Sequence, residues 1–282
     1  MTDFLSEMAA SSRERVAAAR RSCPEAVLWE SAIASPAPPP LRPSAAGFDL
    51  IAEVKLRSPS LGRLAGTATD VASHVRAYAR AGAAAISILT EPSRFDGSLT
   101  HLRVAAEALL PLGIPAMRKD FLVDSYQLLE ARVAGAGGVL IIVRLLPPPQ
   151  IEHLLECAAK LGLFVLLEAF DEADLAIMRS LIGRRPPSAG STAPLLAGLN
   201  CRDLATLRIV PQRLEALAAL LPPDVPHVAE SGVTAAEDAD RIARAGYRYA
   251  LVGSALMQEP NPGALAAALL RAGRAASLCA PR

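Results

Sequence analysis

The chain has 282 residues, of which 52% are apolar, and a formal net charge of +1. That is ample material for a large buried core, and too little net charge to favour nucleic acid or anionic lipid as a partner. The four cysteines (Cys23, Cys157, Cys201 and Cys279) form no CxxC pair and stand beside no His at ligand spacing, which argues against a metal site and fits reduced thiols in a cytoplasmic protein.

The first predicted element is an amphipathic helix over residues 3–21, with Thr2 or Asp3 as N-cap and Pro24 as its stop. Asp3, Glu7 and Arg13 interrupt any signal-peptide core. The Pro-rich stretch Ser35–Pro43 reads as a stiff connector, so residues 1–45 form an extension ahead of the main body. A pattern then repeats to the end of the chain: a short apolar run, a turn and a longer helical segment. The runs are Leu50–Lys55, Ala84–Thr90, Ile114–Arg118, Val139–Arg144, Leu163–Glu168, Leu195–Asn200, His227–Glu230 and Tyr249–Gly253. They are nearly continuous in apolar character, as parallel strands covered on both faces are. The most apolar stretch, Val139–Leu146, is broken by Arg144, followed by Pro147 and too short for a bilayer.

Helical segments lie between the runs, for example Val71–Ala81, Ser125–Ala134, Gln150–Leu161 and Ala235–Ala245, and Gly82, Gly135, Gly162 and Gly246 are placed to stop them. Eight such units in one chain predict a single α/β domain, a (β/α)8 TIM barrel with an extra N-terminal helix. No GxGxxG turn follows the first run, which disfavours an open dinucleotide-binding sheet. The segment Arg184–Pro194 has loop composition and falls on the face opposite the expected active site, where an insertion is tolerated.

Barrel enzymes build their sites at the C-terminal ends of the strands. Only three of the basic residues are lysines (Lys55, Lys119 and Lys160), and two of them stand at such ends. Arg does not release a proton at physiological pH, whereas a desolvated ammonium can be tuned into a general acid. Strand 1 ends with Glu53 and Lys55, whose side chains point to one side; alone, this pair reads equally well as an ion pair closing the top layer of the barrel. Strand 5 ends with Glu168, strand 6 with Asn200 followed by Arg202, and strand 7 with Glu230-Ser231-Gly232. Each could be a solvated rim residue, yet polar residues ending six strands converge when a barrel closes. Gly232, Gly253 and Ser254, after strands 7 and 8, suit a phosphate, because glycine lets backbone N–H groups approach an anion and a helix start offers unpaired donors. A tight turn is the plainer explanation of Gly253.

Ile51–Ser60 (IAEVKLRSPS), Ile86–Glu91 (ISILTE), Phe95–Ser98 (FDGS), Lys119–Phe121 (KDF), Asn200–Leu204 (NCRDL), Glu230–Gly232 (ESG) and Leu251–Met257 (LVGSALM) resemble, in order and on matching strands, the indole-3-glycerol-phosphate synthase family. The resemblance spans nearly the whole chain. It implies closure, decarboxylation and dehydration of 1-(2-carboxyphenylamino)-1-deoxyribulose 5-phosphate to indole-3-glycerol phosphate. By the same resemblance Lys119 is the general acid, Glu168 the base or acid of dehydration, and Lys55, positioned by Glu53, the partner of the substrate carboxylate. Asn200, Arg202 and Ser231 would orient the anthranilate part, and Ser58, Gly232, Gly253 and Ser254 would hold the phosphate. Glu230 would support the site, and Phe95, Phe121 and Leu251 would wall the aromatic ring. Decarboxylation restores aromaticity, so no cofactor or metal is expected as an electron sink. A phosphorylated small molecule is the only partner called for, and a monomer is compatible with the sequence.

Two positions depart from the family: Leu61 where a lysine is usual, and Phe170 where many members have His. The first is expected to weaken a loop contact to substrate, and neither touches the acid or base. The alternatives are another phosphate-binding barrel or a barrel without catalysis. Phosphoribosylanthranilate isomerase chemistry needs a Cys at the end of strand 1, where this chain has Glu53 and Lys55. Loss of catalysis would have let Lys drift to Arg in this composition.

Overall fold

The computed structural model describes residues 4–64, 70–184, 194–203, 206 and 208–279. Eight parallel strands close a barrel in chain order: β1 (Asp49–Val54), β2 (Ala85–Leu89), β3 (Ala116–Lys119), β4 (Gly138–Ile142), β5 (Phe164–Ala169), β6 (Leu195–Asn200), β7 (His227–Glu230) and β8 (Tyr249–Val252), with β8 pairing back to β1. Each coincides with one apolar run to within a few residues. Gly82, Gly135, Gly162 and Gly246 all have positive φ, ending their helices in the left-handed conformation that a Cβ would oppose. The N-cap positions Thr2 and Asp3, Leu204 of the NCRDL motif and residues 185–193 of the expected insertion lie outside the described residues.

The two-residue period of the strands sorts their side chains. One parity faces the helices. The other fills the barrel, where Ile51, Met117, Leu140, Phe164, Leu166, Leu196, Val228, Tyr249 and Leu251 form a continuous apolar plug. The Phe164 ring packs against Gly138, where a Cβ would lie 2.4 Å from it. Following the same parity toward the C-terminal ends, the plug gives way to Glu53, Lys119, Glu168, Asn200 and Glu230. Register places them side by side: Glu168 is opposite Gly198, and Asn200 is opposite Glu230. At the other end, buried Asp49 is held by Arg248 at 3.1 Å and Arg274 at 3.2 Å.

Ahead of the barrel stand two helices rather than one. α1 (Phe4–Ser22) ends before Pro24, as the sequence indicates, but Pro24 also serves as the N-cap of α2 (Glu25–Ala34). The apolar residues of α2 are spread around the helix, with Leu28 and Ala32 buried while Val27 and Ile33 are exposed, so no helical period marks it in the sequence. It is held against the helix Ser125–Val133, where Arg20 bridges Glu25 and Asp124 and the Tyr126 hydroxyl donates to the Cys23 carbonyl. Among the described residues no helix is long and apolar enough to cross a membrane.

Candidate active site

A cavity opens at the C-terminal ends of the strands. Every residue singled out above for catalysis or binding lines it: Glu53, Lys55, Ser58, Phe95, Lys119, Phe121, Glu168, Asn200, Arg202, Glu230, Ser231, Gly232, Leu251, Gly253 and Ser254. Lys119 Nζ lies 3.3 Å from Glu168 Oε1 and 3.8 Å from Glu230 Oε2. Asn200 Nδ2 donates to the same Glu168 oxygen at 2.7 Å, while its own Oδ1 accepts from the Arg202 backbone N–H at 3.0 Å. Glu168 is thus held between the Asn200 amide on the adjacent strand β6 and the Lys119 ammonium on β3, which reaches it past the end of β4. Across the mouth, Lys55 Nζ sits 3.0 Å from Glu53 Oε1.

The electrostatics run against one expectation from sequence. Burial by itself would lower the Lys119 ammonium, but Glu168, Glu230 and Glu53 together outweigh it and raise its pKa above the ordinary lysine value. Lys119 is therefore a firmly protonated group before substrate arrives, and desolvation has not tuned it downward. Glu230 shows the opposite response. Burial raises its pKa most, the Glu168 charge adds to the rise, and Lys119 only partly opposes it, so the carboxyl is held well above its usual range. Among the described residues no nitrogen donor reaches either Glu230 oxygen, and the facing group is the Glu168 carboxyl. Lys119 at 3.8 Å is beyond hydrogen-bond reach, so a bond between Glu230 and Glu168 needs a proton on one of them.

The glycines divide by function. Gly232 has φ +72 and follows Ser231, a non-glycine residue at φ 67, so the chain makes two successive left-handed turns after β7. Gly253 has an ordinary negative φ of −123. Its missing side chain leaves room for Glu53, whose Oε1 would lie 2.4 Å from a Cβ at that position. Gly253 therefore seats a carboxylate from the neighbouring strand, a role that neither the phosphate reading nor the tight-turn reading anticipated. The adjoining helix Ser254–Gln258 opens on the cavity and presents first-turn N–H groups that have no partner within the helix.

The loop after β1 folds as a hairpin, pairing Arg57–Ser58 with Gly62–Arg63. Ser58 Oγ meets Ser60 Oγ at 3.1 Å, and Arg202 Nη1 reaches Ser60 Oγ at 3.2 Å, tying this loop to the end of β6. Leu61 stands at its tip and is 52% exposed. Phe170 is buried beneath the Arg144 guanidinium, 4.9 Å from ring centroid to cation, and lines the cavity as an apolar surface.

The sequence reading missed residues supplied from a distance. Phe4 and Leu5 of α1 line the cavity, and the Phe4 ring packs edge-on against Phe121 at 5.8 Å, while Phe95 lies 6.2 Å from Phe121. Asp120, beside Lys119, receives Arg15, Thr90 and Arg118. The apolar face of α1 was visible in the sequence, but its partner was not.

The family model described as indole-3-glycerol phosphate synthase matches residues 5–269. An indole-3-glycerol phosphate synthase from Nocardioides sp. is 45% identical over 77% of this chain and 78% of its own length. One from Micrococcus luteus is 40% identical over 94% and 95%. Among solved structures, 3-hexulose-6-phosphate synthase from Salmonella typhimurium superposes with a TM-score of 0.61 at 14% identity, covering 81% of this chain and 100% of that one, which is a likeness of fold alone.

Proposed function

This chain belongs to the indole-3-glycerol phosphate synthase family, and from that membership we propose how its own residues carry the reaction. It is a carboxy-lyase of tryptophan biosynthesis, acting on 1-(2-carboxyphenylamino)-1-deoxyribulose 5-phosphate. The observation that carries the assignment of roles is the pairing of Lys119 with Glu168 at 3.3 Å, in one cavity with Lys55 and Glu53.

The anilino nitrogen pushes electron density into the ring, and the carbon bearing the carboxylate attacks the ketone. Negative charge develops on the ketone oxygen, and Lys119 gives it a proton. Such positioned acid–base groups contribute about 10²–10⁴-fold in rate. The C–CO2 bond then breaks, and its electron pair returns to the ring and restores aromaticity. The new hydroxyl leaves as water after taking a proton from the same cluster, and Glu168 removes a proton from the adjacent methylene to complete the indole. One proton is taken up in total, because a carboxylate departs as neutral CO2.

Lys55 neutralises the substrate carboxylate until it leaves, with Glu53 fixing its direction. Asn200 holds Glu168 for proton removal, and Glu230 supports the ammonium and carboxylate of the acid–base pair. Arg202 and Ser231 orient the anthranilate part between the Phe95, Phe121 and Leu251 side chains. Ser58, Gly232, Gly253 and Ser254 bind the phosphate, with first-turn N–H groups pointing at the anion. All these groups come from one chain, which supports a monomer as the working unit. The described thiols Cys23, Cys157 and Cys201 are free, which supports a reducing, cytoplasmic setting.

The test is direct. The purified protein, shown to be folded by circular dichroism, is incubated with the carboxyphenylamino-deoxyribulose phosphate, and indole fluorescence is followed together with proton uptake. Release of indole-3-glycerol phosphate is expected. A folded barrel that releases none overturns the assignment.

A further inference from the structure

Gly198 lies in the middle of β6, two residues before Asn200 on the inward parity, opposite Glu168 on one side and Val228 on the other. Its φ is outside the left-handed region, so the backbone there is open to any residue, and no turn or bulge asks for glycine. What excludes a side chain is space. A Cβ at 198 would lie 2.3 Å from Glu230 Oε1, with the flexible end of Leu166 at 2.9 Å and the Leu167 carbonyl at 3.2 Å. Gly198 is not among the residues lining the cavity, whereas Glu230 is, with only 1% of its surface exposed.

We propose that Gly198 is a positioning residue for the reaction: its bare Cα is the seat that lets the Glu230 carboxyl lie beside both Lys119 and Glu168. The inference rests on the assignment of Lys119 and Glu168 as the acid–base pair. Among the described residues no nitrogen donor holds either Glu230 oxygen, so its place is set by the shape of the space around it, by Lys119 at 3.8 Å and by the facing Glu168 carboxyl. A methyl group at 198 occupies that space. The carboxyl must then swing away or press on Lys119, and either outcome changes the field in which the proton is transferred. Position 198 does not itself line the cavity, so the methyl acts on the site only through Glu230. The same logic operates at Gly253 beneath Glu53, but that glycine also borders the cavity and cannot separate positioning from binding.

A double-variant cycle tests this on the full chain. Gly198→Ala is expected to stay folded, keep KM close to wild type and lose kcat on the order of 10²-fold, the scale of a misplaced catalytic group. Glu230→Asp withdraws the carboxyl by one methylene and opens room for the methyl. Gly198→Ala/Glu230→Asp is therefore expected to recover much of the kcat lost by Gly198→Ala, even though Glu230→Asp alone is impaired. Wild-type kcat in Gly198→Ala, or additive losses in the pair, overturns the proposal.

If Gly198→Ala does not fold, Gly198→Ala/Glu230→Ala decides. Refolding to the stability of Glu230→Ala shows that the methyl strikes Glu230, and continued misfolding shows that Leu166 packing was the constraint and refutes the seat. Thermal unfolding of the same cycle reads the coupling between 198 and 230 without reference to turnover. An inactive but folded wild type would thus sink the reaction assignment, while the steric coupling is judged on its own.

Discussion

Arg15 places its two terminal guanidinium nitrogens on the two carboxylate oxygens of Asp120, at 3.0 and 2.8 Å, and so fastens the N-terminal helix to the residue that follows Lys119. Asp120 also accepts from Thr90 Oγ1 at 2.7 Å and Arg118 Nη2 at 3.1 Å, and Arg118 in turn bonds Glu130 at 3.0 Å. A buried carboxylate with this many donors is fixed in direction, and the backbone carrying Lys119 is fixed with it. The helix that supplies Phe4 and Leu5 to the cavity and the strand end that supplies the ammonium therefore share one anchor.

That anchor has a pH signature. Burial alone would raise the Asp120 carboxyl, but Arg118 and Arg15 outweigh it and hold the pKa down at about 2. A carboxylate depressed in the folded state adds stability above its unfolded pKa and loses it as pH falls toward the folded value. This group is expected to cost the wild type about 2 kcal/mol of unfolding free energy between roughly pH 4 and pH 2. Asp120→Asn should be less stable at neutral pH and lack that part of the acid limb. Denaturant unfolding at stepped pH measures both, and an unchanged acid limb would remove Asp120 as its source.

Glu230 predicts a slope of opposite sign. Its pKa is raised in the folded state by burial first and by Glu168 next, so folding holds a proton that the unfolded chain releases. Stability from this group falls as pH climbs above the unfolded carboxylate value toward the folded one. Lys119, raised by its carboxylate partners against the effect of burial, keeps its charge throughout that window. Glu230→Gln, neutral at every pH, should show a flatter stability profile from weakly acidic to weakly alkaline pH. Parallel profiles for the two proteins would mean that Glu230 is ionised in the folded state.

Lys119→Arg tests proton donation separately from charge. The guanidinium can still face Glu168 and Glu230, but it does not give up a proton near neutral pH. We expect fold and KM to be roughly retained and kcat to fall by about 10²–10⁴-fold. Near-normal kcat would remove Lys119 as the acid.

Leu61 offers a gain-of-function test. It sits exposed at the tip of the hairpin after β1, where the family resemblance leads one to expect lysine. A lysine there buries nothing and adds a charge near the entrance used by a phosphorylated substrate. Leu61→Lys should lower KM at low ionic strength, less so at high salt, with kcat and Tm unchanged. A KM that ignores both the substitution and the salt would show that this tip does not meet substrate.

What the sequence determined by itself is what local rules govern. Eight apolar runs with glycine stops specify eight strands and the helices between them. The two-residue period specifies that Glu53, Lys119, Glu168, Asn200 and Glu230 share the barrel interior, because side-chain direction along a strand follows from backbone geometry alone. Tertiary structure decided everything that depends on which residues distant in the chain become neighbours. Pro24 begins a second helix that packs against the helix Ser125–Val133 with Leu28 and Ala32 buried, and Arg15 finds Asp120 only after α1 has docked. The glycine at 198 acquires meaning from a carboxyl on the next strand. The direction of the Lys119 shift was likewise beyond the sequence: desolvation and ion pairing act oppositely on an ammonium, and only barrel closure determines how many carboxylates stand beside it.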